Sequence, residues 1–265
     1  MDSLLLLKAV LLGVVEGVTE FLPVSSTGHL ILASRWLEFN RPEAKTFEVI
    51  IQLGAILAVC WEYRQRFTAT IVEWRSPTAQ RWLLNVALGC LPAAVLGVLC
   101  HDFIKGVLFQ PGVVAASLVA GGVAMLAIER LAPSARVDQV EHITPRLALA
   151  IGMVQALALV PGVSRSGATI MGGIALGVGR RAATEFSFFL AVPIMVAASG
   201  LEAVKSWSLL NGSALWTIGP GFVVAFLAAL LTIRFLLRFV SAHSFEVFAW
   251  YRIALGLLVF WVLGR

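Results

Sequence analysis

Residues 16–29 bring together two acids, four hydroxyl side chains and a histidine, in the order Glu-Gly-Val-Thr-Glu-Phe-Leu-Pro-Val-Ser-Ser-Thr-Gly-His. Glu16 and Glu20 are four positions apart, so on a helix both carboxylates project from one face. Pro23 then ends the helical pattern, and hydroxyl side chains follow it. Acids, hydroxyls and His29 in one stretch are suited to proton transfer, to nucleophilic attack or to binding a cation.

A second polar stretch, residues 161–169, has the sequence Pro-Gly-Val-Ser-Arg-Ser-Gly-Ala-Thr. Arg165 lies between two serines, with glycines on either side and the start of a helix after it. This combination offers a guanidinium, hydroxyls and backbone amides to the oxygens of a phosphate group. The alternative is that Arg165 only pairs with a buried glutamate. Seven further residues of the two stretches are predicted to bind phosphate: Ser25, Thr27, Gly28, Ser164, Ser166, Gly167 and Thr169.

Glu16 and Glu20 raise a difficulty, because carboxylates repel a phosphate where the dielectric constant is low. One solution is that the two acids hold a divalent cation, Mg²⁺ or Ca²⁺, which bridges to the phosphate. The other is that one acid is protonated and donates its proton. The acids are alternatively a structural pair that hydrogen-bonds Arg165. The sequence leaves these alternatives open.

The elements that position these residues are predicted to be membrane helices. Hydrophobic residues make up 59% of the chain and charged residues 13%, whereas a soluble domain carries about 25% charged residues. We therefore expect an all-α integral membrane protein with a single domain over residues 1–265. The net charge of +5 belongs partly to loops that face anionic lipid. No nucleic-acid-binding motif accompanies this charge, so no nucleic acid is expected as a partner.

Eight apolar regions follow one another along the chain. Two of them, 3–37 and 147–178, are interrupted at Pro23–Gly28 and Pro161–Gly167. Backbone outside a helix is tolerated at membrane depth only where protein or water satisfies its polar groups, so both regions are predicted to be re-entrant helix–loop–helix elements. The other six are long enough to be transmembrane helices: 47–62, 82–99, 112–131, 186–204, 214–237 and 247–263.

The two interrupted regions resemble each other at an offset of 139 residues. Val-Ser-Ser-Thr-Gly at 24–28 matches Val-Ser-Arg-Ser-Gly at 163–167, and Glu16 matches Gln155. Three predicted spans separate the copies, and an odd number of crossings inverts the second copy. We therefore expect an inverted repeat, with repeat 1 at about 1–131 and repeat 2 at about 147–265. In such folds the binding site forms where the two broken elements meet.

The positively charged side chains predict the orientation. Eleven Lys and Arg residues fall in loops on one side of this topology and seven on the other. Because cytoplasmic loops are enriched in Lys and Arg, both termini are expected outside, and the first re-entrant element is expected to enter from the outer face. The loops on the richer side are 62–81, 129–146, 179–185 and 234–246.

Four segments carry a resemblance to a known family. They are EGVTEFLPVSSTGH at 16–29, TFEVIIQLGAILAV at 46–59, PGVSRSGATI at 161–170 and EFSFFLAVP at 185–193. They resemble the motifs of the bacterial undecaprenyl-pyrophosphate phosphatase family, the bacitracin-resistance type, in order over nearly the whole chain.

The resemblance implies an inner-membrane phosphatase that converts undecaprenyl diphosphate to undecaprenyl phosphate, recycles the lipid carrier of cell-wall synthesis and opens toward the periplasm. It also implies that Glu16, Glu20, Ser26, His29 and Arg165 form the site. The partners it implies are the lipid and the bilayer, and a second copy of the chain is a further candidate. A transporter or flippase of a phosphorylated lipid is the alternative, because inverted repeats and broken helices are typical of transporters.

Ser26 is the predicted nucleophile of this reaction. A serine hydroxyl is weak at neutral pH and needs a base within hydrogen-bond reach. His29 follows three residues later, so on a helix the two side chains share a face. We therefore expect Ser26 to attack the terminal phosphorus while His29 accepts its proton. His29 as the nucleophile, and direct attack by water, are the alternatives.

Overall fold

The computed structural model describes residues 3–39, 44–205 and 212–263. Over these residues the regular structure is helical, apart from one isolated bridge between Val137 and Val178. The α-helices are α1 Ser3–Thr19, α2 Ser26–Trp36, α3 Ala44–Glu62, α4 Arg64–Val72, α5 Pro77–Leu99, α6 His101–Phe103, α7 Pro111–Leu131, α8 Pro145–Gln155, α9 Arg165–Ala175, α10 Arg180–Lys205, α11 Gly212–Phe239 and α12 Glu246–Leu263.

The expected all-α membrane fold is confirmed. Within the described ranges, four helices are long and apolar enough to cross a membrane, namely α5, α7, α10 over Arg180–Gly200 and α11 over Ile218–Phe239. The pair α3 and α4 passes the same test together and bends by 72° at its junction, which makes a fifth candidate. The count of six spans and two re-entrant elements therefore stays a prediction.

The helix bounds follow the offset of 139 residues. Helix α2 begins at Ser26 and ends at Trp36, and α9 begins at Arg165 and ends at Ala175. The packing is matched as well: α1 lies against α11, its counterpart α8 lies against α5, and α7 packs with α12. Equivalent helices thus occupy equivalent places in two halves. The inverted orientation of one half in the membrane remains a prediction.

Two pairs of residues show how closely the halves correspond. Ser25 and Ser164, one residue before α2 and α9, have φ values of 69° and 72°, a region that side chains other than glycine seldom adopt. A Cβ at Gly13 in α1 would lie 2.5 Å from the carbonyl oxygen of Gly221, and a Cβ at Gly152 in α8 would lie 2.5 Å from that of Gly89. Glycine therefore lets the first helix of each half touch the backbone of its neighbour.

Ion pairs tie together the four loops that are richest in Lys and Arg. Each pair joins two of these loops, and together the pairs connect all four, which places them on one side of the bundle. The pairs are Arg66–Glu141, Arg180–Glu129 and Arg234–Glu62. Of the cations counted on the other side, Arg41 and Arg265 lie outside the described residues.

Candidate active site

The two helix breaks meet inside the bundle. Helix α1 ends at Thr19 and α2 begins at Ser26, while α8 and a 3₁₀ turn end at Leu159 and α9 begins at Arg165. The Oγ of Ser166, from the second break, donates to the carbonyl of Leu22 in the first at 2.9 Å. The predicted meeting of the two broken elements is thus present in the structure.

Arg252 of α12 binds both breaks at once. Its side chain is 1% exposed. One terminal nitrogen donates to the carbonyl of Pro23 at 3.2 Å, and the other donates to those of Gly162 at 3.0 Å and Val163 at 2.9 Å. No acidic side chain pairs with it in the part of the chain that the structure describes. A guanidinium with several N–H groups therefore replaces the helical donors that these carbonyls lack at the breaks.

Room for this guanidinium comes from two glycines. A Cβ at Gly121 in α7 or at Gly167 in α9 would collide with the terminal nitrogens of Arg252. The sequence analysis assigned no role to Arg252. An arginine within an apolar helix was the available signal, because an ionisable residue at membrane depth is seldom without a partner.

The catalytic candidates converge on Glu20. One carboxylate oxygen accepts a hydrogen bond from Ser26 Oγ at 2.6 Å, and the other lies 3.2 Å from a terminal nitrogen of Arg165. The side chain of Glu20 is 6% exposed and that of Arg165 is 12% exposed, so the ion pair is shielded from bulk water. A hydroxyl, a carboxylate and a guanidinium from the two halves therefore form one hydrogen-bonded chain.

Ser187 of α10 fixes the other side of Arg165. Its carbonyl accepts from the second terminal nitrogen at 2.9 Å, and its hydroxyl lies 3.2 Å from the same nitrogen. Thr169 Oγ1 in turn lies 2.6 Å from Ser187 Oγ. Ser187 falls in the fourth segment that carries the family resemblance, although the sequence analysis did not single it out. Thr169 positions the arginine through Ser187 and does not line the cavity.

A cavity of about 210 Å³ opens beside this chain of groups. Six of the predicted site residues line it: Glu20, Ser25, Ser26, Thr27, Ser164 and Arg165. Gln52 and Gln155 line it as well, and the sequence analysis gave neither of them a role in the site. The Oε1 of Gln155 is buried without a hydrogen-bond partner among the described residues, so the wall of the cavity contains an unsatisfied acceptor.

Six predicted site residues contribute nothing to this lining: Glu16, Gly28, His29, Ser166, Gly167 and Thr169. The N–H of Gly167 is already bonded to Ser164 Oγ at 3.0 Å. Gly28 lies against Leu118, whose Cδ1 would be 3.1 Å from an added Cβ. Phosphate contacts by Gly28, Ser166, Gly167 and Thr169 therefore stay predictions. In the structure these residues take part in packing and hydrogen bonds around the two breaks.

His29 does not pair with Ser26 in the structure. Its Nδ1 lies 2.8 Å from the carbonyl of Ser25, so this nitrogen carries the proton. Its Nε2 lies 2.6 Å from the hydroxyl of Tyr251, which donates to it. Both ring nitrogens are thus engaged by other groups, so the predicted pairing of His29 with Ser26 is not formed here, and the role of His29 as the base stays a prediction. Tyr251 lies 222 residues further along the chain, too far for any local pattern to indicate it.

Glu16 is buried and does not line the cavity. It is 1% exposed, and its Oε1 has no hydrogen-bond partner in the described ranges. The carboxylates of Glu20 and Glu48 both act on it electrostatically. Within those ranges no group of three or more His, Cys, Asp and Glu side chains is placed to hold a metal ion. One carboxylate with a spare oxygen, and a second committed to Arg165, are fewer ligands than a dedicated protein site supplies.

The fold and the site define a polytopic membrane protein with a cavity between two broken helices, lined by Arg165, Glu20 and several hydroxyl side chains. The profile of one family, described as bacitracin resistance protein BacA, matches residues 9–258. The chain therefore belongs to this family.

Curated relatives are similar over nearly their whole length. The undecaprenyl-diphosphatase of Methylobacillus flagellatus is 52% identical, with 98% of each chain covered. Undecaprenyl-diphosphatase 1 of Burkholderia ambifaria is 54% identical over 98% of this chain and 96% of the relative. The undecaprenyl-diphosphatase of Laribacter hongkongensis is 49% identical over 100% of this chain and 98% of the relative.

Replacement of Arg252 tests its role at the breaks. Arg252→Met keeps much of the side-chain volume but leaves the carbonyls of Pro23, Gly162 and Val163 without this donor. Since a buried unpaired polar group costs about 1–3 kcal/mol, we expect a loss of at least about 3 kcal/mol. Thermal unfolding of the protein in detergent measures this loss as a lower melting temperature. Arg238→Met, at an exposed arginine of α11, is the control and should leave the melting temperature unchanged. Equal melting temperatures for the two variants would contradict the role.

Proposed function

We propose that the chain hydrolyses undecaprenyl diphosphate to undecaprenyl phosphate and phosphate at the cavity beside Glu20. The observation that carries this proposal is the hydrogen-bonded chain Ser26–Glu20–Arg165, which places a nucleophile, a base and a phosphate ligand together. The relatives that share about half of its residues carry the name undecaprenyl-diphosphatase. Release of phosphate from the lipid diphosphate by the purified protein in detergent tests the proposal.

The size of the cavity indicates which part of the substrate enters it and which part stays outside. Its volume of about 210 Å³ lies below the roughly 300–1,000 Å³ of pockets that enclose drug-sized ligands. The phosphate end therefore enters while the isoprenoid chain stays among the apolar side chains at the mouth and in the bilayer. Ala93, Leu159 and Ile194 line the cavity with apolar surface next to the polar groups.

Arg165 is the ligand of the terminal phosphate. Its guanidinium is held from behind by Ser187, so the fork is fixed in place before the substrate arrives. A phosphate that enters the cavity competes with Glu20 for the N–H groups of Arg165. When the phosphate takes them, the carboxylate of Glu20 loses its counter-charge and becomes a stronger base. Substrate binding thus activates the base that lies 2.6 Å from Ser26 Oγ.

Ser26 is the nucleophile in this proposal. Its Oγ forms a bond to the terminal phosphorus, its proton passes to Glu20, and the bond from that phosphorus to the bridging oxygen breaks. Undecaprenyl phosphate leaves with the bridging oxygen. Glu20 releases that proton to solvent and, as a carboxylate again, takes a proton from a water whose oxygen forms a bond to the phosphorus of the phosphoserine. The bond from this phosphorus to Ser26 Oγ breaks, Oγ takes the proton from Glu20, and phosphate leaves. Arg165 stabilises the charge on the equatorial oxygens in both steps.

His29 has a positioning role in this account. Through its bond to the carbonyl of Ser25 it holds the strained residue next to the nucleophile, and Tyr251 holds the ring in turn. This arrangement favours Glu20 over His29 as the base for Ser26. Attack by His29 itself requires that its Nε2 first releases the Tyr251 hydroxyl.

The orientation completes the proposal. The four loops joined by ion pairs carry the excess of Lys and Arg. This excess favours a location of the loops on the cytoplasmic side of a bacterial inner membrane. The first broken element then enters from the periplasmic side, and the cavity opens there. A homodimer stays a candidate assembly. The transporter alternative predicts the same binding without release of phosphate in detergent.

A divalent cation remains a proposal. Mg²⁺ is commonly held by one or two carboxylates together with substrate phosphates, and Glu16 has the oxygen to spare. The cation would neutralise charge on the two phosphates. No step of the reaction above requires it.

Arg165→Lys tests the guanidinium. Lysine keeps the charge but loses the planar fork that binds two oxygens at once. On the scale of removing one transition-state donor, we expect a fall in kcat/KM of at least about a hundredfold. The measurement is phosphate release from undecaprenyl diphosphate in detergent, with Arg35→Lys, an exposed arginine of α2, as the control. A rate near that of the unmodified protein would show that Arg165 supplies only bulk charge.

Rapid quenching tests the nucleophile. With substrate labelled at the terminal phosphate, the protein should trap acid-stable label on Ser26, and Glu20→Gln should slow the formation of this label by at least about a hundredfold, since general-base catalysis contributes about 10²–10⁴-fold. Acid-labile label on His29 would identify the histidine as the nucleophile. Absence of label, with most of the rate retained in Ser26→Ala, would favour direct attack by water.

Chelation tests the cation. If Glu16 and Glu20 hold Mg²⁺ or Ca²⁺ against the phosphates, exhaustive chelation should abolish phosphate release, and either ion should restore it. Glu16→Gln should then raise the concentration of ion needed for half-maximal rate, because it removes one ligand charge. Full activity in chelator would overturn the metal proposal and leave the rest of the mechanism standing.

A further inference from the structure

A second cavity, of about 260 Å³, lies between α4, the first turn of α5 and the segment around Glu141. It shares no lining residue with the catalytic cavity. Arg81 of this cavity and Ala93 of the catalytic one are both in α5, about 18 Å apart along the helix axis at 1.5 Å per residue. The cavity belongs to the side where the ion pairs join the loops, because Arg66 and Glu141 both line it.

The charged residues that line this cavity favour a ligand with a single negative charge. Arg66 is paired with Glu141, whereas Arg81 makes no ion pair or hydrogen bond with any residue that the structure describes. Two arginines and one glutamate leave a net charge of +1. The cavity also contains the start of α5, where the N–H of Ala79 is taken by Ser76 Oγ at 3.1 Å. Thr78 lines the cavity, and its N–H and hydroxyl are donors that an anion at this helix start can use.

Two buried polar atoms in the lining lack partners among the described residues. Asn85 is 5% exposed; its Nδ2 donates to the carbonyl of Ile143 at 2.7 Å, but its Oδ1 has no partner. The Nε1 of Trp82 is also without one. Buried polar groups are normally satisfied. Both residues line the cavity, so each of these atoms is an unsatisfied donor or acceptor in its wall.

The surroundings of the cavity are those of a membrane interface. Helix α4 bends away from α3 by 72°, and Ile71 and Val72 at its end are 72% and 80% exposed. Trp74 follows them, and the guanidinium carbon of Arg75 lies over its ring, 4.9 Å from the ring centroid. Exposed apolar side chains beside Trp and Arg are typical of a helix that lies at the level of lipid headgroups.

We propose that this cavity binds the headgroup of an anionic phospholipid whose phosphodiester carries a hydroxylated alcohol, as in phosphatidylglycerol. The phosphodiester oxygens accept from Arg81, from Trp82 Nε1 and from Thr78, and a hydroxyl of the alcohol donates to Asn85 Oδ1. The single negative charge of a phosphodiester balances the net charge of the cavity. Inorganic phosphate offers the same oxygens, so the experiment must separate the two sources.

Native mass spectrometry of the full-length protein in detergent tests the proposal. Phosphatidylglycerol should bind at least about fivefold more tightly than phosphatidylmethanol, which has the same charge but no hydroxyl to give Asn85. Arg81→Gln should weaken phosphatidylglycerol binding by at least about fivefold. Arg75→Gln removes an equal charge six residues earlier in the chain, outside the cavity, and should change the affinity less than twofold.

Three results would overturn the proposal. Equal effects of Arg81→Gln and Arg75→Gln would show that only bulk charge attracts the lipid. Equal affinity for the two lipids would remove the role of Asn85. Thermal stabilisation of the protein by inorganic phosphate but not by phosphatidylglycerol, lost in Arg81→Gln, would assign the cavity to free phosphate. Because Arg81 is exposed, its replacement leaves the packing of α5 intact.

Discussion

Carbonyl groups that are freed where a helix breaks inside an apolar bundle must find hydrogen-bond donors, and the whole site depends on how this chain supplies them. Arg252 reaches from the last helix to Pro23 in one break and to Gly162 and Val163 in the other. A buried guanidinium without a carboxylate is costly, and here the carbonyl dipoles of two loops offset that cost. The same contacts hold the loops together, so stability of the breaks and geometry of the site have one source.

The two halves of the chain have equivalent backbone conformations at the breaks but carry different reactive side chains there. Ser26 and Arg165 occupy equivalent positions, each the first residue of its helix after a serine with positive φ. One half presents the hydroxyl there and the other the cation. Glu20 joins them, and nothing equivalent is found in the second half, where Leu159 stands at the matching place. Symmetry thus positions the groups, and divergence makes them complementary.

Local features made much of this predictable. Proline and glycine at both breaks, and the repeated Val-Ser-x-x-Gly, indicated where α2 and α9 begin and that the two broken elements would meet. The partner of His29 was not predictable, because Tyr251 approaches from a distant helix and helical spacing says nothing about it. Arg252 and Ser187 were missed for the same reason: each acts through contacts between segments far apart in sequence. The number of spans also exceeds what length and apolarity establish, since α3 passes the test for a membrane span only together with α4, and α12 is not among the described helices that pass it.

The small volume of the cavity limits what can enter it. A space of about 210 Å³ beside Glu20 and Arg165 is enough for a phosphate group and too small for a long isoprenoid chain. Under the proposed function, the cavity therefore selects the phosphate end of the lipid, while the chain stays in the bilayer and is not selected by its length.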